Sequence, residues 1–216
     1  MSLGRLFCLP LLVVLSACAS FKPGPVPSVV HSSYPAVAPQ SVEFDLQLTV
    51  AEPQLLALWQ DNRVLLRTAE GELGALQGVV WADQTGALLQ TSLIEAMQSR
   101  SGLRAISRAG DGSRNDWLLL SAVPRFELDY RQSPGQAALR WDLRLLEVAS
   151  GRVLARTTLD AEQALPTAGE VGSAERSRAH AMALLDLLHA QAGRAADWLR
   201  AQAGQRQAPV QDGFEG

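Results

Sequence analysis

Cysteine and histidine are scarce in this chain. Its 216 residues include two cysteines, Cys8 and Cys18, and three histidines. Because both cysteines precede residue 19, the rest of the sequence has no disulfide, no thiolate nucleophile and no cysteine metal site. The fold must therefore be stabilised by an apolar core, and a hydrophobic content of 47% is sufficient to form one.

The sequence also lacks a basic surplus and a long apolar run. The net charge is −3. A nucleic-acid-binding protein would normally present a basic face, so we expect no nucleic-acid partner. A transmembrane helix needs about 20 consecutive apolar residues. The apolar run at residues 6–15 is shorter than that, and we expect no membrane-spanning helix.

No reactive constellation is visible. The sequence contains no HExxH, GxSxG, GxxxxGK or GxGxxG motif. His31 lies in a proline-rich segment, and the spacing of His180 and His189 turns them to opposite sides of a helix. We therefore expect packing or solvated histidines, with no metal, no cofactor, no catalytic residue and no enzymatic activity.

Other residues that could carry chemistry have ordinary structural explanations. Glu127 and Asp129 are two residues apart on a predicted strand, and we expect them to line its solvent face rather than a catalytic cleft. Tryptophan is more often a core anchor than a ligand platform. The five tryptophans interpreted in this way are Trp59, Trp81, Trp117, Trp141 and Trp198.

The N-terminus has the layout of a secretory signal. Arg5 supplies a positive charge, residues 6–15 are apolar, and the small residues Ser16 and Ala17 follow. The sequence LSAC at residues 15–18 resembles the bacterial lipobox, which implies cleavage before Cys18 and acylation of that cysteine with fatty acids such as palmitate. An ordinary signal with an incidental cysteine is the alternative reading. Ala19, rather than Asp, implies sorting to the outer membrane on its periplasmic side.

The chain divides into four predicted parts. Residues 1–17 are the signal peptide, and residues 18–41 are the lipidated cysteine with a tether. Prolines dominate that tether and favour extended chain: Pro23, Pro25, Pro27, Pro35 and Pro39. Residues 42–203 form the folded domain, and residues 204–216 read as a disordered tail.

Hydrophobic periodicity predicts the elements of the domain. Alternation indicates strands at residues 42–50, 63–68, 73–80, 103–107, 117–130, 137–148 and 153–163. Asp83 is the expected N-cap of a first helix that ends at Gly102, and Ser173 or a neighbour caps a second, alanine-rich helix. The order predicts an α+β fold: a two-layer sandwich with a mainly antiparallel sheet and two main helices on one face. Exposed edge strands also favour association between copies.

Several segments resemble the ABC-type transport auxiliary lipoproteins. These are the lipoprotein partners of MCE-type (mammalian cell entry) lipid transport systems and include the lipoprotein of the paraquat-inducible system. The resemblance runs from about residue 42 to residue 202. It lies in LTVAEP at 48–53, WADQTGALL at 81–89, LIEAM at 93–97, RFE at 125–127, ALRWDL at 138–143 and the closing helix.

The resemblance implies a non-catalytic, periplasm-facing lipoprotein subunit. It would work with an MCE protein, a permease and an ATPase to move lipids across the cell envelope. An outer-membrane assembly or envelope-structure lipoprotein, which binds a barrel, a pilus component or a cell-wall polymer, is the alternative. Either reading gives the chain a membrane partner through Cys18.

Overall fold

The computed structural model describes residues 26–32, 41–112, 114–167 and 169–207. The described residues form nine strands in one sheet, two helices and a 3₁₀ turn. The elements in chain order are β1 (Ser28–Val30), β2 (Phe44–Val50), β3 (Gln54–Leu55), the 3₁₀ turn (Ala57–Trp59), β4 (Arg63–Arg67), β5 (Leu73–Trp81), α1 (Thr85–Arg100), β6 (Leu103–Arg108), β7 (Trp117–Asp129), β8 (Gln136–Glu147), β9 (Val153–Ala164) and α2 (Ala174–Gln207).

The strands β7, β8 and β9 form an antiparallel meander, as their alternating patterns predict. β8 pairs with β7 on one side and β9 on the other over nearly its whole length. Its core-facing residues are at most 1% exposed: Leu139, Trp141, Leu143 and Leu145. The register with β7 shifts between Ala122 and Arg125, which places Pro124 at a bulge where its missing N–H breaks no ladder.

The other edge of β7 is shared by three short strands in succession. β2 pairs with its first part, β3 with its middle and β4 with its end, all in parallel. β6 adds to the outer edge of β2, while β5 and then β1 extend from β4. The sheet therefore divides into two branches, β2–β6 and β4–β5–β1, and β3 lies between them.

The sheet is mixed, where we expected a mainly antiparallel one. Among the described strands, three pairs are antiparallel and five are parallel. The predicted hairpin of β4 and β5 and the predicted meander are both present. Three of the parallel pairs arise because β2, β3 and β4 all run in the direction of β7, and the other two join β6 to β2 and β1 to β5.

Both helices contribute to a single hydrophobic core with one face of the sheet. α1 packs mainly on α2, β6 and β2, and α2 crosses β5, β8 and β9. The apolar side of α2 is rich in alanine and leucine, with Leu184, Leu188 and Leu199 completely buried. Trp59, Trp81, Trp117 and Trp141 are at most 2% exposed and Trp198 packs partly against the core, which confirms the tryptophans as core anchors.

Two segments of the folded body extend beyond the expected domain. β1 lies inside the expected tether and pairs in parallel with residues 79–81 of β5, with Val30 buried in the core. α2 continues to Gln207, so the first four residues of the expected tail are helical. The signal peptide, residues 18–25 and 33–40, and residues 208–216 lie outside the described part of the chain.

The helix caps are predicted with mixed success. The N-cap of α1 is Gln84 and not Asp83, so that prediction is wrong by one residue, and no side chain caps this end. Instead the hydroxyl and the amide of Thr85 both donate to the carbonyl of Asp61, at 2.8 and 3.0 Å. Ser173 caps α2 as expected, because its hydroxyl accepts from the amide of Arg176 at 3.1 Å. Gly102 follows α1 with φ +72°, the left-handed conformation of a glycine C-terminal stop.

Candidate functional site

A cleft of about 790 Å³ opens where the two branches of the sheet diverge. It is formed by the chain that connects β2 to β4 and by the start of α1. Its lining residues are Glu52, Pro53, Gln54, Leu55, Gln60, Gln84 and Gly86. Most of these belong to the segments 48–53 and 81–89, which carry the family resemblance, so those two segments meet at one site.

The floor of this fork cleft depends on two residues that hold the connecting chain against the body. Pro53 is buried and directs the chain into β3 after β2 has ended. Trp59 is only 2% exposed and fixes the 3₁₀ turn, in which its amide donates to the carbonyl of Leu56 at 2.9 Å. The rest of the turn is thereby held at the surface.

Two leucines of this turn project into solvent. Leu56 is 56% exposed and Leu58 is 51% exposed. Single exposed apolar residues are ordinary on protein surfaces, and here two of them lie two residues apart beside a cleft. We call this pair the leucine tip.

A glycine at position 86 permits the close approach of the cleft wall to α1. A β-carbon there would stand 2.7 Å from Oε1 of Glu52 and 3.5 Å from Cδ1 of Leu55. The Glu52 carboxylate thus lies against the first turn of α1, where the positive end of the helix dipole favours an anion. A larger residue at position 86 would displace the exposed Glu52 side chain from this position.

The fork cleft has a largely polar lining with a single formal charge. Its polar lining consists of one carboxylate and the amides of Gln54, Gln60 and Gln84. The lining has no histidine, cysteine, serine or lysine that could pair as nucleophile and base. Across the described part of the chain, no group of three acidic, histidine or cysteine side chains could hold a metal ion.

The expectation that Glu127 and Asp129 line a solvent face is wrong. Glu127 is fully buried and Asp129 is 6% exposed, although both lie on the sheet face opposite the helices. Arginine side chains cover them. Arg67 donates to both oxygens of Glu127 at 2.8 and 3.2 Å, and Arg125 and Arg131 each reach Asp129 at 2.5 Å.

These side chains form a closed network of alternating charge. Arg125 also contacts Glu127 at 3.5 Å and donates to Glu162 at 2.5 Å. The hydrogen bonds from Arg131 hold the pKa of the Asp129 carboxyl well below its usual range. Every charge is paired, so the network binds the strands β4, β7 and β9 together rather than serving as an acid–base pair.

The histidines are packing residues, as expected for His180 and His189. Nε2 of His180 donates to the carbonyl of Pro166 at 3.0 Å, and Nδ1 accepts the hydroxyl of Tyr130 at 2.7 Å. Burial lowers the pKa of His180 and raises that of Tyr130. His189 contacts the Ser32 hydroxyl at 2.8 Å, which ties α2 to the end of β1, and burial lowers its pKa as well. His31 is exposed directly after β1.

Cys18, the predicted lipidation site, lies outside the described residues together with Cys8. The described helices include none that is both long enough and apolar enough to cross a membrane. The fork cleft and the leucine tip were not anticipated from sequence. The signal that could have indicated them is the run QLLALW at 54–59, which is apolar yet too short to form a buried helix.

Comparison with known proteins identifies the family and the fold. The family model described as "ABC-type transport auxiliary lipoprotein component" matches residues 31–189. A crystal structure of a Xanthomonas campestris protein of the family DUF330 superimposes with a TM-score of 0.70 at 24% identity, covering 83% of this chain and 98% of that one.

A second crystal structure, of an uncharacterised protein, superimposes with a TM-score of 0.57 at 13% identity and covers 82% of this chain and 98% of its own. Among curated proteins, none matches the chain. The two structures share the fold, and the family model spans most of the domain. The chain therefore belongs to the family of ABC-type transport auxiliary lipoprotein components.

Proposed function

We propose that this chain is a non-catalytic, periplasm-facing subunit of an MCE-type ABC transport system that moves lipids or other hydrophobic molecules across the cell envelope. The observation that carries the proposal is the family match over residues 31–189, which names a transport component and a lipoprotein. The fork cleft supports a binding role, because it is lined by amides and one carboxylate and lacks a nucleophile–base pair.

The proposed anchor is the lipid on Cys18 in the outer membrane. β1 begins at Ser28, and ten peptide units separate it from Cys18. A fully extended chain spans at most about 3.6 Å per residue, so the start of β1 lies within roughly 36 Å of the lipidated residue. Because β1 belongs to the sheet, this tether is much shorter than the span of residues 18–41, and the body stays close to its membrane.

The leucine tip is the proposed contact with the transport partner. Leu56 and Leu58 are both more than half exposed beside the cleft, and the buried Trp59 fixes the turn that presents them. A preorganised apolar pair loses little conformational entropy on binding, and completing the burial of each leucine contributes about 1 kcal/mol. We assign the partner to the MCE protein, the permease or the ATPase of the same system.

The test is a pull-down of the full-length lipidated protein from membranes extracted in a mild detergent. The wild type is expected to recover an MCE subunit or its permease. The double variant Leu56→Ser and Leu58→Ser is expected to reduce that recovery by about tenfold or more, since both anchors are lost. Circular dichroism and thermal unfolding should remain as in the wild type, because neither side chain is buried.

Val171 provides the matched control. It is 88% exposed and precedes α2, remote in sequence from the cleft, so Val171→Ser should leave recovery unchanged. Recovery of no transport subunit by the wild type would contradict the proposed function. Recovery of a barrel, a pilus component or a cell-wall polymer instead would establish the alternative function as an assembly or structural lipoprotein.

A further inference from the structure

The strand β9 has one unoccupied edge. It pairs with β8 along its length, and no other described strand pairs with it. In a strand of this length roughly half of the backbone N–H and C=O groups point away from the single neighbour. Its residues are exposed or half-buried throughout. A long free edge of this kind is a template for pairing with another strand.

β9 also has few of the features that usually protect an edge. It contains no proline and no lysine, and its register with β8 shifts only near Leu154, at its beginning. The segment from Ala155 to Ala164 is regular. Its charged side chains, Arg156, Asp160 and Glu162, lie on the same side as the charged residues of β8 and leave the edge itself open.

The charges on β9 are incompletely matched within one molecule. Arg156 lies directly opposite Arg144 of β8, and like charges in that position repel. Among the ion pairs of the described residues, none includes either arginine. Asp160 has only the exposed Arg140 as a partner, at 3.4 Å. Arg156 therefore has no acidic partner among the described residues, and Asp160, four residues later on the same open edge, has a weak one.

We propose that the β9 edge pairs antiparallel with β9 of a second copy of this chain, about a two-fold axis at Thr158. In that register Arg156 lies opposite Asp160 of the second copy, and the symmetry forms the pair twice. An axis at Arg156 or Asp160 would instead set like charges opposite each other. An axis at Leu159 would place Arg156 opposite Glu162, but Glu162 already accepts a 2.5 Å hydrogen bond from Arg125. A second copy in this register thus supplies hydrogen-bond partners for the free backbone groups of β9 and an acid for Arg156.

The proposal is independent of the transport role and is tested by disulfide cross-linking in membranes. Residues opposite each other in an antiparallel pair have α-carbons about 4.5–5.5 Å apart, within the range that a disulfide spans. Thr158→Cys in the full-length protein should therefore give a covalent dimer on mild oxidation. The wild type, which retains Cys18, is the background control and should remain monomeric on a non-reducing gel.

Two neighbouring positions test the register. Arg156→Cys and Leu159→Cys should each give much less dimer than Thr158→Cys, because neither residue faces itself across the proposed axis. Coexpression of Arg156→Cys with Asp160→Cys should produce the mixed dimer. Absence of a Thr158→Cys dimer above the wild-type background, or an equal yield from Arg156→Cys, would overturn the proposal.

A charge exchange gives a second, independent readout. In the Thr158→Cys background, Arg156→Asp should lower the dimer yield roughly threefold or more, because it places two acids opposite each other. Adding Asp160→Arg should restore the yield. Arg104→Asp is the matched control, since it makes the same charge change at an exposed arginine on β6, remote from β9 in the sheet, and should leave the yield unchanged. Equal effects of the two single substitutions would contradict the proposed axis.

Discussion

Residues Glu127 and Asp129 show how a charged face of a sheet becomes buried. Both acids lie opposite the helices, on the side of the sheet where solvent is expected. Arg67, Arg125 and Arg131 lie over them, so that the guanidinium groups rather than water satisfy the carboxylates. Bidentate arginine–carboxylate contacts are strong and directional, and they hold strands whose own backbone pairing is short. β4, for example, has only two residue pairs with β7.

This network predicts a large cost for loss of a single acid. Glu127→Ala should lower the free energy of unfolding by about 3 kcal/mol, because it leaves the largely buried guanidinium of Arg67 without its carboxylate and removes one of the three acids around Arg125. Urea denaturation followed by circular dichroism measures the change. Asp45→Ala is the control: Asp45 also pairs with an arginine, Arg104, but both side chains are more than half exposed, so the change should be about 1 kcal/mol or less. Equal losses from both substitutions would contradict the structural role assigned to Glu127.

At the level of elements, long periodic segments could be predicted and short ones could not. The strands β7, β8 and β9 each extend over twelve residues or more, and alternation defines them from local sequence alone. β1 has three residues among prolines and no alternation to detect. It is a strand because β5 offers it a free edge and because the core accepts Val30, and both conditions are set by residues about fifty positions later.

The pairing of the strands was predictable only where it is local. Tight turns join the hairpin and the meander, so these pairs are antiparallel by necessity. The parallel pairs of β7 with β2, β3 and β4 join segments more than sixty residues apart, and no turn residue specifies them. Likewise, the period of two residues predicted which side of β7 carries Glu127, but not that Arg67 of β4 would cover that side together with Arg125 and Arg131.

β1 itself gives a test at this scale. Val30→Ala should lower the free energy of unfolding by about 1–3 kcal/mol, because Val30 is 2% exposed and its side chain packs in the core. Val29→Ala, on the same strand, removes the same atoms from a side chain that is 50% exposed and should change stability by less than about 0.5 kcal/mol. Chemical denaturation of both variants decides the matter. Equal free energies of unfolding for the Val30→Ala and Val29→Ala variants would show that β1 does not pack on the folded domain.

At the scale of the whole molecule, one short segment connects anchor and fold. β1 begins at Ser28, and Ser32, just after it, contacts His189 of α2. We expect a lipid on Cys18 to hold the β1 side of the sheet towards the membrane, whereas β9 lies at the opposite side of the sheet.

Cys18 is the residue on which this placement depends. Cys18→Ala should abolish incorporation of labelled palmitate, because the thioether cannot form. Expressed behind an ordinary cleavable secretory signal, the same variant should move to the soluble fraction, since each buried acyl CH₂ contributes about 0.8 kcal/mol to membrane binding and all of these contributions are lost.

Cys8→Ala is the matched control for that substitution. Cys8 is the other cysteine of the chain, and it would leave with the signal peptide, so its replacement should keep both the palmitate label and the membrane location. Label retained by Cys18→Ala, or lost by Cys8→Ala, would move the acylation site away from Cys18. The short distance between anchor and sheet would then no longer follow, because it is counted from Cys18 to Ser28, where β1 begins.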